Sequence, residues 1–199
     1  MKKLSSILIS LILLTTASLA NTYNSNPKMF ISELVNDAIN KLSDKNFTKE
    51  EKVTFIENIA VHNIDINALG LYTLGEIRKT TDKSILSKYQ EAFKKYFLKS
   101  LTSRLTSYSS NKFEILNAEK KSSNYTIVKS IISKNDNNLK IKIDWRVYTK
   151  NPDKPLVRDL IVEGLSLART QKEEFSSILN SNNNDINILI SKLEEFASN

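Results

Sequence analysis

LKIKIDWRVYTKNPDKPLVRDLIVEGLSLARTQKEEF, residues 139–175, decides the fold. Its first ten residues alternate: Leu139, Ile141, Ile143, Trp145 and Val147 against Lys140, Lys142, Asp144, Arg146 and Tyr148. Side chains along a strand point to opposite faces in turn, so Leu139–Tyr148 reads as a strand with one dry and one wet face. Asn151-Pro152-Asp153-Lys154-Pro155 then reverses the chain, because these residues favour turn dihedrals and Pro cannot extend a ladder. The return run places Leu156, Leu160 and Val162 on one face and Val157, Ile161, Leu165 and Leu167 on the other. A strand apolar on both faces calls for cover on both sides. Its charges, Arg158, Asp159 and Glu163, must then be paired or sit at an edge.

Upstream, the apolar period is that of helices. Pro27–Leu42 suits a helix opening on Pro27. Thr48 and Glu51 form a capping box ahead of Val53, Ile56, Ile59 and Ala60. Asp65 caps a short helix, Ile66–Leu74, and Gly75 and Thr80-Thr81-Asp82 break the pattern. From Asp82 runs the longest periodic segment, with Leu86, Tyr89, Phe93, Phe97, Leu101, Leu105 and Tyr108 on one stripe. After Asn111 the period becomes two: Phe113–Ala118, Tyr125–Ser133, Leu139–Tyr148 and Leu156–Leu165 are predicted strands, joined by short polar links that favour antiparallel neighbours. Beyond Leu167, Phe175, Ile178 and Leu179 line one helix. Asp185 caps a last one, lined by Ile186, Leu189, Ile190, Leu193 and Phe196. Helices, then a four-stranded meander, then helices make an α+β fold with helices laid on one face of a sheet.

Residues 1–20 stand apart. Lys2 and Lys3, an apolar run Ile7–Leu14 and Ser18-Leu19-Ala20 have the form of a secretory signal peptide cleaved near Ala20. Residues 21–199 then form one domain, helical over 27–110, a sheet over 112–166 and helical again over 167–197. The expected compartment is the periplasm. The 199 residues contain no Cys, hence no lipobox, disulfide or thiol chemistry. The net charge of +7 is scattered rather than gathered in a stripe. That argues against nucleic acid and allows a mild attraction to anionic lipid head groups.

Catalytic equipment is thin. His62 is the single histidine, on the pattern of a predicted helix, and Gly70, Gly75 and Gly164 cannot build a phosphate loop. Asp144, Asp159 and Glu163 are the best acid/base candidates; ion pairing with Arg146 and Arg158 across the hairpin is the structural alternative. A large apolar face without a catalytic kit suits a binding protein that is not an enzyme.

The stretch resembles the MlaC family of periplasmic phospholipid-binding proteins. Val157, Asp159, Glu163, Gly164, Ser166, Leu167 and Phe175 match its strand-to-helix pattern. Leu74–Thr81, Tyr89–Phe97 and Asp185–Leu193 resemble other family segments. Leu156 departs from a frequent Trp, Gln171 or Lys172 stands near the usual Arg, and Asn183 or Asn184 replaces a Gly. The resemblance implies an NTF2-like curved sheet covered by helices and a phospholipid as cargo, with no cofactor. It also implies a monomeric shuttle between an outer-membrane lipoprotein–porin complex and an inner-membrane ABC transporter with an MCE-type subunit, which maintains outer-membrane lipid asymmetry. The expected lining is Phe93, Phe97, Leu101 and Leu105 facing Ile141, Ile143, Trp145, Val147, Val157 and Ile161. Two other readings remain open: an NTF2-like enzyme using Asp144, Asp159 or Tyr148 in the cavity, and an envelope adaptor without lipid.

Overall fold

The computed structural model describes residues 23–105, 111–134 and 140–199. The expected leader, Tyr108 and Leu139 lie outside them. Helix α1, Pro27–Ser43, opens on Asn26, whose side chain accepts from the Lys28 and Met29 N–H groups. Helix α2, Lys49–Asn63, carries the expected Thr48–Glu51 capping box. Asp65 caps α3, Ile66–Thr73, and a 3-10 turn follows at Gly75–Lys79. Helix α4 is Lys83–Leu105. Strands β1 Asn111–Ser122, β2 Tyr125–Lys134, β3 Lys140–Tyr148, β4 Leu156–Val162 and β5 Leu165–Ser166 come next, then α5 Leu167–Asn180 and α6 Ile186–Ser198. The turn before α6 holds Asn183 and Asn184 at φ 53° and 58°. Asn tolerates this left-handed region, so it can stand where the family has Gly.

The sheet is an antiparallel meander of order β1-β2-β3-β4-β5. It has five strands rather than four. The return run breaks at Glu163-Gly164, both at positive φ (49° and 85°), which makes a two-residue hairpin turn of the primed type between Val162 and Leu165. The alternation also breaks. Arg146 faces Asp159 and Val147 faces Val157, so Arg158 is an extra residue, a bulge. Val157, Leu160 and Val162 therefore share one face, and Leu156, Asp159 and Ile161 share the other. The expected parity holds only for Leu160, Ile161 and Val162; Leu165, expected beside Ile161, pairs with Val162 across the turn and joins the other face.

Two cores result. Helix α1 lays Phe30, Ile31, Leu34 and Val35 on Val128, Val147 and Val157. Helices α3–α6 enclose the second around Tyr89, Phe93, Phe175, Leu189 and Leu193. The aromatic stripe of α4 was expected to cover the sheet; instead α4 packs on α6, α3 and α2, and α1 covers the dry face, while α3 and α5 meet β4. Helices therefore do not keep to one face of the sheet as expected. Gly70 explains part of where α4 packs, since a Cβ there would lie 2.9 Å from the Phe93 ring, and only glycine lets α3 approach so closely. The Phe93 ring also meets Phe175 edge-on at 6.2 Å. Ile64, linking α2 to α3, packs on both cores and bridges to Val157.

Tyr89 is fully buried in the helical core, its hydroxyl bonded to Thr73 Oγ1 (3.0 Å) and donating to Gly70 O (3.2 Å). Burial pushes its phenol well above the usual value. A raised folded-state pKa means that this contribution to stability is whole below pH ~10 and is lost as pH rises further. Tyr89→Phe should remove up to about 1.4 kcal/mol per pH unit from the alkaline slope of the unfolding free energy. At neutral pH it should cost about 1 kcal/mol in lost hydrogen bonds. Urea titrations at pH 7 to 11 check both; an unchanged slope would refute the first. Tyr96, also raised by burial, keeps part of the slope in place.

Candidate functional site

The face of the sheet under α1 is ordered in rows by the strand register. Thr126, Val147 and Val157 lie side by side; then Val128, Trp145 and Leu160; then Ile115, Ser130, Ile143, Val162 and Leu165; then Phe113, Ile132 and Ile141. The first row is buried. In the last two, Ile132, Ile141, Ile143 and Val162 are half-buried, and neither packed cluster includes them. Leu165 ends its row 69% exposed. One end of this face is thus closed core and the other a bare run of branched aliphatic side chains. Six Cα steps from Leu105 to Asn111 span at most ~20 Å, which keeps the end of α4 within reach of the bare end, where β1 begins. Near that end of α4, Leu101 is half-buried, while Phe97 and Leu98 pack on the helical core.

The expected lining divides accordingly. Phe93 (3% exposed), Val147 (0%) and Val157 (3%) are packed core. Ile141 and Ile143 on β3 are half-buried and belong to the bare rows, Trp145 is half-buried at their border with the α1 core, and Leu101 on α4 is half-buried. Phe97 is a correction: it packs on the helical core, stacked on Phe93, because α4 turns its stripe to other helices and not to the sheet. Leu105 ends α4; its side chain lies outside the described residues. Ile161 is a correction: the bulge at Arg158 turns it to the outer face opposite Asp144, away from Ile143 and Trp145. Residues that the sequence reading missed are Ile132, Val162, Phe113 and Ser130. Both parities of Tyr125–Ser133 carry two branched aliphatic residues, Ile127 and Ile131 against Val128 and Ile132, so alternation could not choose a face for β2.

The outer face is different in kind. Helix α3 and the start of α5 come against it at β4, leaving a cleft of about 840 Å³ among Leu69, Tyr125, Ile127, Lys129, Arg146 and Arg158. Its basic residues Lys121, Lys129, Arg146 and Arg158 are all paired, and the candidate Asp144 faces the same cleft opposite Lys129. Arg158 does not pair across the hairpin as expected. Its Nε donates to Asp65 Oδ2 (2.8 Å) and its Nη1 to the Tyr125 hydroxyl (2.9 Å), and the guanidinium lies 3.4 Å from the Tyr148 ring centre. Lys121 and Lys129 both bind Glu119, holding its carboxyl down to about 2. Of the acid/base candidates, Asp159 is buried and does pair with Arg146 (3.3 Å). Glu163 spans β3: its carboxylate accepts from Lys142 N–H (2.6 Å), and its own N–H donates to Lys142 O (3.0 Å). His62 is exposed, with Nδ1 2.7 Å from Asn58 O. Among the described residues no cluster of His, Asp and Glu could hold a metal.

Comparison with protein families matches MlaC, described as MlaC protein, over residues 32–195. The chain belongs to the MlaC family. A solved structure with the same fold is a phospholipid-binding protein from Ralstonia solanacearum in complex with a phospholipid. It aligns at a TM-score of 0.70 and 17% identity, over 84% of this chain and 94% of that one. No curated protein matches. The MlaC pattern residues are, in this member, the joinery between sheet and helix. Asp159 accepts from Ser166 Oγ (2.7 Å) and from Ala168 N–H (3.0 Å), and Ser166 Oγ in turn accepts from Arg169 N–H, capping α5. Glu163-Gly164 supplies the turn, and Phe175 anchors α5 in the helical core. The pattern by which the family is recognised therefore builds the scaffold, while the bare apolar rows carry little sequence signature.

Proposed function

We propose that this MlaC-family chain is a phospholipid carrier, exported to the periplasm, that holds acyl chains on the bare inner face of its sheet. It moves lipid, as a monomer, between outer-membrane and inner-membrane transport complexes and so serves outer-membrane lipid asymmetry. The observation that carries the reading is the run Ile132, Ile141, Ile143 and Val162, half-buried and joined to neither core. Two acyl chains present on the order of 30 methylenes at about 0.8 kcal/mol each in water, so a lipid needs a dry container to cross an aqueous gap. Half-covered aliphatic rows offer that container without specific contacts. Membership of the family and the phospholipid in the Ralstonia solanacearum neighbour support the same reading. An enzymatic reading in the apolar rows finds no support in the carboxylates, since Asp159 and Glu163 are both engaged in holding the hairpin and Asp144 lies on the other face of the sheet, in the outer cleft.

The test is to purify the chain from a bacterial periplasm without detergent, extract it with organic solvent and identify lipids by mass spectrometry. About one diacyl phospholipid per protein is expected. No lipid, together with no uptake from vesicles, would overturn the carrier reading.

A further inference from the structure

The bare and the closed halves of the inner face meet at one side chain. Trp145 is the sole tryptophan. Its indole N–H donates to Ser130 Oγ (2.9 Å), and Ser130 Oγ donates to the Ile143 carbonyl (2.9 Å). Ser130 is itself buried, so this pair is a fixed fastening and not a surface contact. The ring reaches diagonally across β2 and meets Phe113 of β1 edge-on, 6.4 Å between centres. It packs against the α1 core together with Leu160, yet stays half-buried. One side of the indole is therefore sealed and another faces the rows of Ile143 and Ile141.

We propose that Trp145, pinned by Ser130, is the floor of the acyl pocket and limits the chain length that the pocket accepts. The inference rests on the carrier reading above. The ring leans over the row of Ser130 towards that of Phe113, so an acyl chain that enters past Ile141 meets it within the bare rows. Beyond the ring lie Val147 and Val157, packed under α1 with no room for more chain. A flat, hydrogen-bonded indole suits a stop better than a flexible side chain, because two χ angles and one N–H bond fix its position.

The experiment is competition of lysophosphatidylcholines, decanoyl to stearoyl, against dansyl-undecanoic acid below the micelle concentration. Each methylene that still enters the pocket should tighten binding roughly fourfold. The wild type should follow that slope and then go flat at one chain length. Trp145→Ala should continue the slope for further methylenes, and Trp145→Phe should move the break by less. Thermal unfolding of each variant shows that it is folded, and Trp145→Phe carries the test if the alanine variant is not. A break at the same length in wild type and a folded variant would overturn the floor and leave the carrier reading intact. Failure of the wild type to bind any member of the series would count against both.

Discussion

Asp159→Ala should lower the unfolding temperature by roughly 10 °C, about 3 kcal/mol at two to four degrees per kcal/mol for a domain of this size. The carboxylate is the most connected buried group of the hairpin. Its side chain is 1% exposed, accepts from Ser166 Oγ and Ala168 N–H, and pairs with Arg146. Removing it leaves the Ala168 amide, itself buried, without its acceptor and cuts α5 loose from β4. Arg146 is 43% exposed, so water takes up its charge, and the loss stays at the low end for a broken buried pair. Asp159→Asn should cost roughly half as much, because the amide oxygen still accepts from Ala168 N–H. Differential scanning calorimetry of the two variants decides. An enzyme using Asp159 as an acid or base would behave in the opposite way, with an alanine variant as stable as the wild type and a lost activity. A shift of less than 2 °C for Asp159→Ala would therefore return the carboxylate to the list of candidate functional groups.

How far the sequence could be read follows from where its signals are local. The dry face Ile141–Ile143–Trp145–Val147 was legible because β3 alternates without interruption, and the caps at Thr48, Asp65 and Asp185 because a cap needs only its next three residues. The face of β4 was not, because a bulge is a relation between two strands: nothing in LVRDLIV marks Arg158 as the extra residue until Arg146 and Val147 are set opposite it. The destination of α4 failed for a similar reason. Its stripe says that one side is apolar, but whether that side meets a sheet or other helices depends on Gly70 admitting Phe93 and on the aromatics Phe175 and Phe196 elsewhere in the chain. In the site itself, apolar and inward-facing was readable, whereas packed against bare was not. Val147 and Ile143 look alike in sequence; only where α1 is laid across the sheet decides which of them is covered.

That difference sets the sharpest contrast between two variants. Val147 and Ile143 share one strand and one face, yet Val147 is fully buried in the α1 core and Ile143 is half-buried outside it. Val147→Asp places a carboxylate where no water and no partner reach it, and should cost about 4 kcal/mol or more, enough to unfold much of the protein at 37 °C. Ile143→Asp keeps contact with water and should cost only about 1–2 kcal/mol, leaving a folded domain with a normal far-ultraviolet spectrum. Its effect should fall on the cargo instead. A carboxylate in the middle of the bare rows must be dehydrated by any acyl chain that enters, so phospholipid recovered per protein should drop at least roughly tenfold. Ile143→Met, which keeps the surface apolar, should load as the wild type does. If Ile143→Asp carried as much lipid as the wild type, the chains would have to lie elsewhere, and the bare rows would need another occupant. If it unfolded as Val147→Asp does, Ile143 would be core after all, and the boundary between container and core would move past it towards Ile141.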